Sequence, residues 1–494
     1  MKLSKIIKNI KFEKKNFADV EISGITDNTA DVKKNFLFAA KKGEKTDSHI
    51  FIGDAVKKGA KAIIHSAPLK NYDSKVVYLR ISDKDDTNAN EVFIKLCKNF
   101  YGNPSDKLKI IAITGTNGKT TISYLLKHIL NYSGKKCLVI GTINANIGAK
   151  IFKIQNTTPG PFILYKLFKE AVDRKAEYAI MEASSHSIKQ KRFDLRDVDC
   201  AAFTNLTQDH LDYHKTMEDY VASKSMLFKY MNKNGIAVVN IDDEYSKYIL
   251  KNCGNLKTLT YSINKKSDIT GKTEERSPRL NKFDIKFKNL ILKIETGLIG
   301  RHNIYNILAA FGASQFLKIP ANKFAEAIKK FKNVPGRLDK IRRGNGSYIF
   351  VDYAHTPDAL YNVLNALSEL KSSGRIITVF GCGGDRDRLK RPLMGKIAVE
   401  KSDIAIITSD NPRSEKPDDI IKEIENGCSG FDNYSIEPDR KKAIEKAVRA
   451  ARKNDIVLIA GKGHENYQII GKKIINFDDK KVSREIINRL KKGK

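Results

Sequence analysis

A glycine-rich turn between an apolar run and an amphipathic helix is the feature that most restricts how this chain can fold. Residues 110–126 read IIAITGTNGKTTISYLL. Glycines let the backbone approach a ligand closely, and the N–H groups of the turn and the following helix point toward a bound anion. Lys119 adds a positive charge, and the hydroxyl of Thr120 suits Mg²⁺. The pattern predicts a phosphate-binding turn. Gly115 and Gly118 are closer together than in the GxxxxGK[ST] motif, so an ordinary strand–helix turn stays open.

Apolar strands alternate with helices after this turn and again near the C-terminus, which predicts an α/β protein with a mainly parallel sheet. The length of 494 residues allows several domains. We expect an N-terminal α/β domain over 1–104, a central domain that carries the turn over 105–335, and a Rossmann-like α/β domain over 336–494. VPGR at 334–337 reads as a linker, and the polar stretch at 264–285 predicts loops or an antiparallel excursion.

The net charge of +33 raises the question of a nucleic-acid partner. The excess lysines are spread along the chain, and no basic block interleaves aromatic residues. Small anionic substrates fit this charge at least as well, so we expect no nucleic-acid partner. The six cysteines form no CxxC pair, which favours free thiols over a zinc site or disulfides. Without a run of about 18 apolar residues or a signal peptide, we expect a cytoplasmic protein with no membrane span.

Further polar motifs follow apolar runs, at the strand ends where open α/β sheets bind ligands. Glu182 ends one run and is well placed to hold Mg²⁺, although a helix-terminal charge explains it equally well. His210 follows another run, in a segment with two histidines and two aspartates. Lys224 lies in an ordinary helical pattern that predicts a solvated side chain. Four motifs rich in Asp, Arg, His and Gly occupy 351–360, 380–394, 408–417 and 459–468.

These motifs, in this order and over nearly the whole chain, resemble the Mur ligase family, and more narrowly its tripeptide synthetases. The resemblance implies ATP-dependent amide ligation in peptidoglycan precursor synthesis. ATP phosphorylates the carboxylate of UDP-N-acetylmuramoyl-L-alanyl-D-glutamate, an amine attacks the acyl phosphate, and phosphate leaves. Bringing two anions together requires cations and aligned N–H dipoles. The family precedent also implies a cytoplasmic monomer that uses Mg²⁺.

The resemblance implies a nucleotide and metal site around the glycine-rich turn. Lys119, His210 and Lys224 match catalytic positions, and Lys224 falls where the family has a carbamylated lysine (N6-carboxylysine) beside Mg²⁺. His302 stands where the family commonly has phenylalanine. The implied metal ligands are Thr120, Glu182, His210 and carbamylated Lys224. The implied ATP-binding residues are Gly115, Thr116, Asn117, Gly118, Lys119, Thr120, Thr121, Asn303, Arg337, Asp352 and His355.

The resemblance also implies that the N-terminal domain binds the uridine nucleotide and that the central domain binds the muramoyl dipeptide. At Asp27-Asn28-Thr29 the family usually has Asp-Ser-Arg, whose serine is expected to touch the uracil. Asn28 therefore departs from the family pattern. The implied binding residues are Asn28, Thr157, Thr158, Ser184, Gln190 and Arg192.

The motif DNPR at 410–413 resembles the version in enzymes that add meso-2,6-diaminopimelate, whereas lysine-adding relatives usually lack its arginine. Arg413 can bind the distal carboxylate through two hydrogen bonds, Asn411 can accept from the distal ammonium, and Glu465 can pair with it. meso-Lanthionine has the same ends and stays an alternative, as does L-lysine, which would leave Arg413 unpaired. The implied amino-acid site is Arg386, Asp410, Asn411, Arg413, Gly461 and Glu465.

Other functions stay open at this point. Folylpolyglutamate and cyanophycin synthetases share the GTNGKT turn but should lack DNPR and the uridine domain. A P-loop NTPase or basic nucleic-acid binder without ligase activity would bind duplexes with a steep salt dependence and leave DNPR unexplained. Because the turn lies in the central domain while Asp352 and Arg413 lie in the C-terminal one, we also expect the C-terminal domain to close, pivoting near Pro335 and Gly336.

Overall fold

The computed structural model describes residues 1–13, 18–43, 46–69, 72–81, 89–276, 280–371 and 373–492. The chain forms separate, mainly parallel sheets in sequence order, connected by helices. Parallel neighbours need crossover connections, which place helices on the sheet faces. The α/β architecture expected from the sequence is confirmed. In the described part of the chain, no helix is long and apolar enough to cross a membrane.

The N-terminal sheet is parallel throughout. In spatial order its strands are β1 (Gly24–Thr26), β2 (Phe36–Ala39), β3 (Ala60–His65) and β4 (Val77–Arg80). Its helices are α1 (Leu3–Ile6), α2 (Ile52–Lys57) and α3 (Ala89–Tyr101). Phe93 of α3 packs against Phe162, with 5.4 Å between the ring centroids. This contact joins the apolar core of the N-terminal sheet to the core of the central unit.

The central sheet holds the glycine-rich turn near its middle. Its strands along the chain are β5 (Lys109–Thr114), β6 (Cys137–Ile140), β7 (Ala145–Ile147), β8 (Lys150–Phe152), β9 (Tyr178–Glu182), β10 (Val198–Phe203), β11 (Ile236–Asn240), β12 (Lys257–Ser262), β13 (Ile269–Arg276), β14 (Asn281–Phe287) and β15 (Leu290–Thr296). Their spatial order is β15-β14-β13-β12-β11-β10-β5-β9-β6-β7-β8. Neighbours from β13 to β6 are parallel, and both ends of the sheet are antiparallel. Of the two possibilities expected for 264–285, loops or an antiparallel excursion, the structure shows the antiparallel one.

The helices of the central unit cover this sheet. They are α4 (Lys119–Tyr132), α5 (Pro161–Asp173), α6 (Ser185–Lys189), α7 (Leu211–His214), α8 (Met217–Tyr230), α9 (Ser246–Cys253), α10 (Arg301–Phe316) and α11 (Ala321–Lys330). Helix α4 begins directly after the turn. Its buried face follows from the helical spacing of Ile122, Leu125, Leu126 and Ile129. Packing of this face against the sheet aims the N-terminus of α4 at the space above the strand ends.

The C-terminal sheet is parallel except at one edge. Its strands along the chain are β16 (Asp339–Arg342), β17 (Tyr348–Asp352), β18 (Ile376–Phe380), β19 (Ile404–Ile407), β20 (Tyr434–Ile436) and β21 (Ile456–Ala460), followed by the hairpin β22 (Tyr467–Ile470) and β23 (Lys473–Asn476). The spatial order is β16-β17-β21-β18-β19-β20, with β16 antiparallel. The helices are α12 (Pro357–Leu370), α13 (Lys390–Lys401), α14 (Pro417–Glu425), α15 (Arg440–Ala450) and α16 (Asp479–Lys492).

All six cysteines lie within the described ranges as buried, free thiols. Burial raises the pKa of Cys200 to about 12. Burial likewise raises the pKa of Cys382 to about 12. Since the thiolate is the reactive form of cysteine, these two side chains are unreactive at neutral pH.

Candidate active site

A cavity of about 660 Å³ lies between the carboxyl ends of the central strands and the start of α12 in the C-terminal unit. Motifs that are far apart in the sequence meet here, because parallel strands bring their carboxyl ends to one edge of a sheet. The sequence-predicted residues that line the cavity are Thr116, Asn117, Gly118, Lys119, Thr120, Thr121, Thr157, Glu182, Ser184, His210, Lys224, Asn303, Arg337, Asp352 and His355.

The backbone of the turn is held in place by the segment that follows β10. Thr116 N donates to Asn205 O at 2.8 Å, and Thr204 Oγ1 donates to the carbonyl of Asn117 at 2.6 Å. Gly115 has a φ of 142°, and a Cβ there would lie 1.9 Å from Thr204 Oγ1. Gly118 has a φ of 91°, and a Cβ there would lie 2.5 Å from an Asn306 side-chain oxygen. Only glycine fits both positions of this turn.

Two lysine side chains share the carbonyl oxygen of Gly115. Lys119 Nζ donates to it at 2.8 Å and also to the carbonyl of Thr116 at 2.7 Å. Lys224 Nζ donates to the same Gly115 oxygen at 3.0 Å. Two lysine amines are therefore close enough to the turn to interact with an anion bound there.

The helical pattern around Lys224 predicted a solvated side chain, and this prediction is wrong. Lys224 is only 1% exposed, because α8 packs against both α6 and α9. Its Nζ lies 4.5 Å from the centroid of the Tyr220 ring. Burial, reinforced by the positive charge of Lys119, holds the pKa of Lys224 well below its usual value. Both effects favour the neutral form of the Lys224 amine.

Glu182 is a fully buried carboxylate at the end of β9. It accepts hydrogen bonds from Thr120 Oγ1 at 3.0 Å, from the Thr142 backbone N–H at 3.0 Å and from Thr142 Oγ1 at 2.9 Å. Gly141 provides the room, because a Cβ there would lie 2.1 Å from Glu182 Oε1. Thr120 and Glu182, both expected to hold Mg²⁺, are thus in direct contact.

His210 and His214 occupy different environments. His214 is 1% exposed, and its Nε2 lies 2.8 Å from Ser185 Oγ, so it supports the packing. His210 is exposed on the cavity side, with a φ of 56° and its Nε2 3.4 Å from Asp209 Oδ2. Its ring meets the His186 ring edge-on, with centroids 4.9 Å apart. Of the two histidines in this segment, His210 is the one that faces the cavity.

The residues around Glu182 suit Mg²⁺ better than a softer metal. Among the described residues, no group of three or more His, Cys, Asp or Glu side chains could hold a metal ion by itself. Mg²⁺ needs fewer protein ligands, since it is usually held by one or two carboxylates together with phosphate oxygens and water. The hydroxyl of Thr120 and the carboxylate of Glu182 provide such oxygens beside the glycine-rich turn.

The expected nucleotide residues come from both sides of the cavity. Asn303 Nδ2 donates to Ile299 O at 2.7 Å, which fixes this side chain at the start of α10. Arg337 Nη2 donates to Thr120 Oγ1 at 3.4 Å, and its guanidinium lies 4.9 Å from the Tyr353 ring centroid. Asp352 is buried and accepts from the backbone N–H of Leu338 at 2.6 Å and of Ala354 at 2.8 Å.

His355 and His302 are two imidazoles of this cavity. His355 Nδ1 lies 2.8 Å from Tyr353 O. Burial lowers the pKa of His355, and burial lowers the pKa of His302 to about 4. Both rings are therefore neutral at pH 7, and His302 offers an uncharged aromatic face where the family commonly has phenylalanine.

The residues expected to bind the muramoyl dipeptide form a connected group beside Glu182. Thr158 Oγ1 donates to the Glu182 backbone carbonyl at 2.6 Å. Arg192 donates from Nη1 to the Thr158 carbonyl at 2.8 Å and from Nε to Gln190 Oε1 at 2.9 Å. Ser184 Oγ accepts from Ser187 N at 3.2 Å and so caps α6. Thr157 joins this group, with its Oγ1 3.2 Å from Thr142 Oγ1.

Asn28 is placed differently from the rest of that set. It is exposed, and its Oδ1 accepts from Ala30 N at 3.0 Å, which caps the short helix Thr29–Asp31. Its neighbour Asp27 is half-buried and faces Gly160, where a Cβ would lie 4.0 Å from Asp27 Oδ2. The Asn28 side chain therefore has a local structural role, and Asp27 is the side chain that approaches the central unit.

The residues expected to bind the amino acid cluster at the carboxyl ends of β18, β19 and β21. Arg413 has a φ of 53°, and its Nη1 donates to Gly384 O at 2.7 Å. Asn411 is 2% exposed, and its Nδ2 donates to Glu465 Oε2 at 2.9 Å. Arg386 is exposed and donates from Nη1 to Asp385 O at 3.0 Å.

Asp410 and Gly461 complete this cluster. A Cβ at Gly461 would lie 2.7 Å from Asp410 Oδ2, so the two residues are in close contact. Burial raises the pKa of Tyr467, and four charged groups act on it as well: Glu465 and Asp410 raise it, while Arg413 and Arg386 lower it. All four charged groups therefore act on Tyr467, which begins the hairpin β22–β23.

Sequence reasoning missed three residues that the structure places at these sites. Thr142 holds Glu182 through two hydrogen bonds. Asp358 of α12 accepts from Asn117 Nδ2 at 3.0 Å and from Thr207 Oγ1 at 2.8 Å, which links the C-terminal unit to the glycine-rich turn. Lys462 contacts Asn411 and Glu465. Asp358 and Lys462 lie within the polar motifs 351–360 and 459–468 without having been singled out, and the signal for Thr142 was its position just after an apolar run.

Family comparisons match two stretches of the chain. The Mur ligase middle domain matches residues 113–314, and the Mur ligase glutamate ligase domain matches residues 336–463. The chain is 41% identical over 488 residues to a UDP-N-acetylmuramoyl-L-alanyl-D-glutamate–2,6-diaminopimelate ligase of Caldanaerobacter subterraneus, covering 99% of each chain. It is 42% identical over 494 residues to the ligase of the same name from Clostridium tetani, covering 99% of this chain and 100% of the relative.

Solved structures agree with this similarity over the full length. A structure of a UDP-N-acetylmuramoyl-L-alanyl-D-glutamate–2,6-diaminopimelate ligase matches with a TM-score of 0.71 and 31% identity, covering 99% of both chains. A MurF ligase from Thermotoga maritima in complex with ADP has a TM-score of 0.65 and 18% identity, covering 95% of this chain and 98% of that one. At that identity, the second match supports the fold alone.

Proposed function

This chain belongs to the Mur ligase family, and from that premise we propose that it is the ATP-dependent ligase that adds meso-2,6-diaminopimelate to UDP-N-acetylmuramoyl-L-alanyl-D-glutamate. The reaction belongs to peptidoglycan precursor synthesis. The observation that carries the proposal is the 41% identity, over 99% of both chains, to a ligase of that name. The geometry supports it, because the phosphate-binding turn, Glu182 and Lys224 meet at one cavity.

In the first step, an oxygen of the substrate carboxylate attacks the γ-phosphorus of ATP, and the bond to the bridging oxygen of ADP breaks. The product is an acyl phosphate, a much better electrophile than the carboxylate. We propose that Lys119 and the N–H groups of the turn hold the phosphates and balance their charge. Lys119 Nζ would then exchange its carbonyl partners in the turn for phosphate oxygens.

We propose that Thr120 and Glu182 hold Mg²⁺ beside the phosphates and that His210 helps to hold a second ion. The pair of oxygens from Thr120 and Glu182 supports this, since they lie 3.0 Å apart at the end of β9. Bound Mg²⁺ would supply positive charge that neutralises the transferred phosphoryl group. Asn303, Arg337, Asp352 and His355 would bind the nucleotide from the two sides of the cavity.

We propose that Lys224 is carbamylated in the active enzyme. Carbamylation joins the lysine nitrogen to the carbon of CO₂ and releases one proton to solvent, and it requires an unprotonated amine. The buried position of Lys224 and its lowered pKa support this, because both favour the neutral amine. The product is an anion in place of a buried lysine amine.

In the second step, the amine nitrogen attacks the acyl carbon, and the tetrahedral intermediate collapses with loss of phosphate. We propose that the C-terminal domain (336–494) supplies the amine through Arg386, Asp410, Asn411, Arg413, Gly461 and Glu465. The central domain (105–335) would bind the dipeptide through Thr157, Thr158, Ser184, Gln190 and Arg192. The N-terminal domain (1–104) would bind the uridine nucleotide. We also propose that the protein is a cytoplasmic monomer.

The test is ATP-dependent phosphate release with UDP-N-acetylmuramoyl-L-alanyl-D-glutamate, comparing meso-diaminopimelate, meso-lanthionine and L-lysine with a sample that lacks amine. We expect strong turnover with diaminopimelate and little with lysine, because lysine leaves Arg413 unpaired. Preference for meso-lanthionine would support the ligase activity but would change the amino acid that is added. Turnover with none of the amines would refute the proposed function.

A further inference from the structure

Lys462 is a fully buried lysine within the proposed amino-acid site. Its Nζ donates to Glu465 Oε2 at 3.0 Å and to Asn411 Oδ1 at 3.2 Å. It also lies 5.4 Å from the centroid of the Tyr467 ring. A buried lysine is costly unless it is paired, and Glu465 is the carboxylate that pairs with this one.

The contacts of Asn411 assign each atom of its amide. Asn411 Oδ1 accepts from Lys462 Nζ and from Ile469 N, the latter at 3.0 Å. Its Nδ2 donates to Glu465 Oε2 at 2.9 Å. Because Oδ1 already accepts two hydrogen bonds, Asn411 acts here as a donor that holds Glu465 in place. This differs from the sequence expectation that Asn411 accepts from the substrate ammonium.

Glu465 Oε2 thus receives two hydrogen bonds, one from Lys462 and one from Asn411. Two donors on one oxygen fix the rotation of the carboxylate. Both of these hydrogen bonds end on Oε2 rather than on Oε1. We infer that Lys462 is a positioning residue that orients Glu465 and sets the charge of the pocket in favour of an amino acid with a zwitterionic distal end.

Charged side chains near Tyr467 set the charge of the pocket. Asp410 and Glu465 contribute two negative charges, while Arg386 and Arg413 contribute two positive ones. Lys462 adds a third positive charge. A pocket with this excess tolerates a distal end that carries both an ammonium and a carboxylate, but it disfavours a lone distal ammonium, as in L-lysine. Without Lys462 the charges of the other four groups balance, and the penalty on a lone ammonium falls.

This inference rests on the proposed function, so both are tested in one experiment. We would measure kcat/KM for meso-diaminopimelate and for L-lysine in the wild type and in K462M and K462Q. Both substitutions remove the charge, and the glutamine keeps a hydrogen-bond donor. Exposed Lys396 of α13 provides the matched control, K396M.

We expect the ratio of kcat/KM for diaminopimelate to that for lysine to fall about tenfold or more in K462M and K462Q, as expected for removing one charge within a partly buried site. The KM for diaminopimelate should rise, while the KM for ATP and the ratio in K396M stay at the wild-type values. A purely structural role would raise the KM for ATP as well and leave the ratio unchanged, which would overturn the inference.

Three further outcomes are equally decisive. If K462M does not fold, the ratio of kcat/KM for diaminopimelate to that for lysine in K462Q tests the role of Lys462 alone. An unchanged ratio in a folded variant would refute the role of Lys462 while leaving the ligase function intact. A wild type that turns over neither amine would refute the proposed function together with the inference, so the two failures are distinguishable.

Discussion

At the scale of single residues, the proposed chemistry depends on side chains that are buried at a cost. Lys224 is a lysine at 1% exposure, and Glu182 is a carboxylate at 0% exposure. Charged groups in such positions are retained where a partner or a ligand compensates for the lost hydration. Glu182 has its partners within the protein, whereas Lys224 donates to a single backbone carbonyl, that of Gly115. Substitutions of Lys224 and of Glu182 should therefore have different effects on activity and stability.

Substitution of Lys224 by methionine should reduce kcat at least about a thousandfold, as for the loss of a charge that stabilises the transition state. The ligand-free variant should also have a higher Tm than the wild type, because a buried amine is replaced by an apolar chain. Phosphate release measures kcat, and thermal unfolding measures Tm. Lys229→Met, at an exposed position of the same helix, should change neither. Full activity of Lys224→Met would exclude a catalytic role.

Burial of the Lys224 amine should also make the free energy of unfolding depend on pH. Because the folded-state pKa of Lys224 lies below its usual value, the unfolded state binds more protons between the two pKa values. The contribution of Lys224 to the free energy of unfolding therefore increases as the pH rises toward the unfolded-state pKa. Denaturant titrations should show a steeper rise in stability with pH for the wild type than for Lys224→Met. Equal slopes would contradict the burial of a titrating amine.

Substitution of Glu182 by glutamine should raise the Mg²⁺ concentration needed for half-maximal activity by about 10–100-fold, the range found when groups that hold or orient a metal are lost. Glutamine keeps the size of the side chain and loses the charge that would bind the ion. Glu177→Gln is the control, because Glu177 is exposed just before the same strand. An unchanged Mg²⁺ requirement in Glu182→Gln would refute its role as a ligand.

At the scale of elements, the turn between β5 and α4 was recognisable because its chemistry is local. Glycines, a lysine and a threonine between a strand and a helix identify the turn without knowledge of any distant residue. Lys224 could not be recognised in this way, since its burial depends on the packing of α8 against two other helices. Asp358 and Lys462 make contacts across units or between loops, which a single stretch of sequence does not reveal.

Helix α4 offers a matched pair of glycines for testing the turn. In Gly118→Ala the new Cβ would meet Asn306 at 2.5 Å, whereas at Gly134, beyond the other end of the helix, it would meet nothing within 4 Å. Both glycines have positive φ, 91° and 75°, so the backbone strain of about 1–2 kcal/mol is common to both. We expect kcat/KM for ATP to fall at least about tenfold in Gly118→Ala only. Equal effects in both variants would attribute the loss to general destabilisation.

At the scale of the whole molecule, the central and C-terminal units meet at the cavity. Asp358 at the start of α12 accepts from Asn117 in the turn and from Thr207 after β10. Arg337 reaches Thr120 from the linker between the units. These contacts would be lost if the C-terminal unit swung away, so they favour the closed arrangement.

Substitution of Asp358 by alanine should therefore favour open conformations. We expect a larger radius of gyration by small-angle scattering without nucleotide, and compaction on addition of an ATP analogue with both other substrates. Asp418→Ala is the control, because Pro417-Asp418 begins α14 in the same way that Pro357-Asp358 begins α12. Scattering curves for Asp358→Ala that match the wild type in both conditions would refute closure through this contact.

The cysteines of this chain have a practical consequence for following that motion. Because all six thiols are buried and unbonded, a maleimide dye would find no native target on the folded surface. Two cysteines introduced on opposite lips of the cleft could therefore be labelled in the otherwise unaltered chain. Fluorescence transfer between the two dyes would then report each opening and closing during turnover, one molecule at a time.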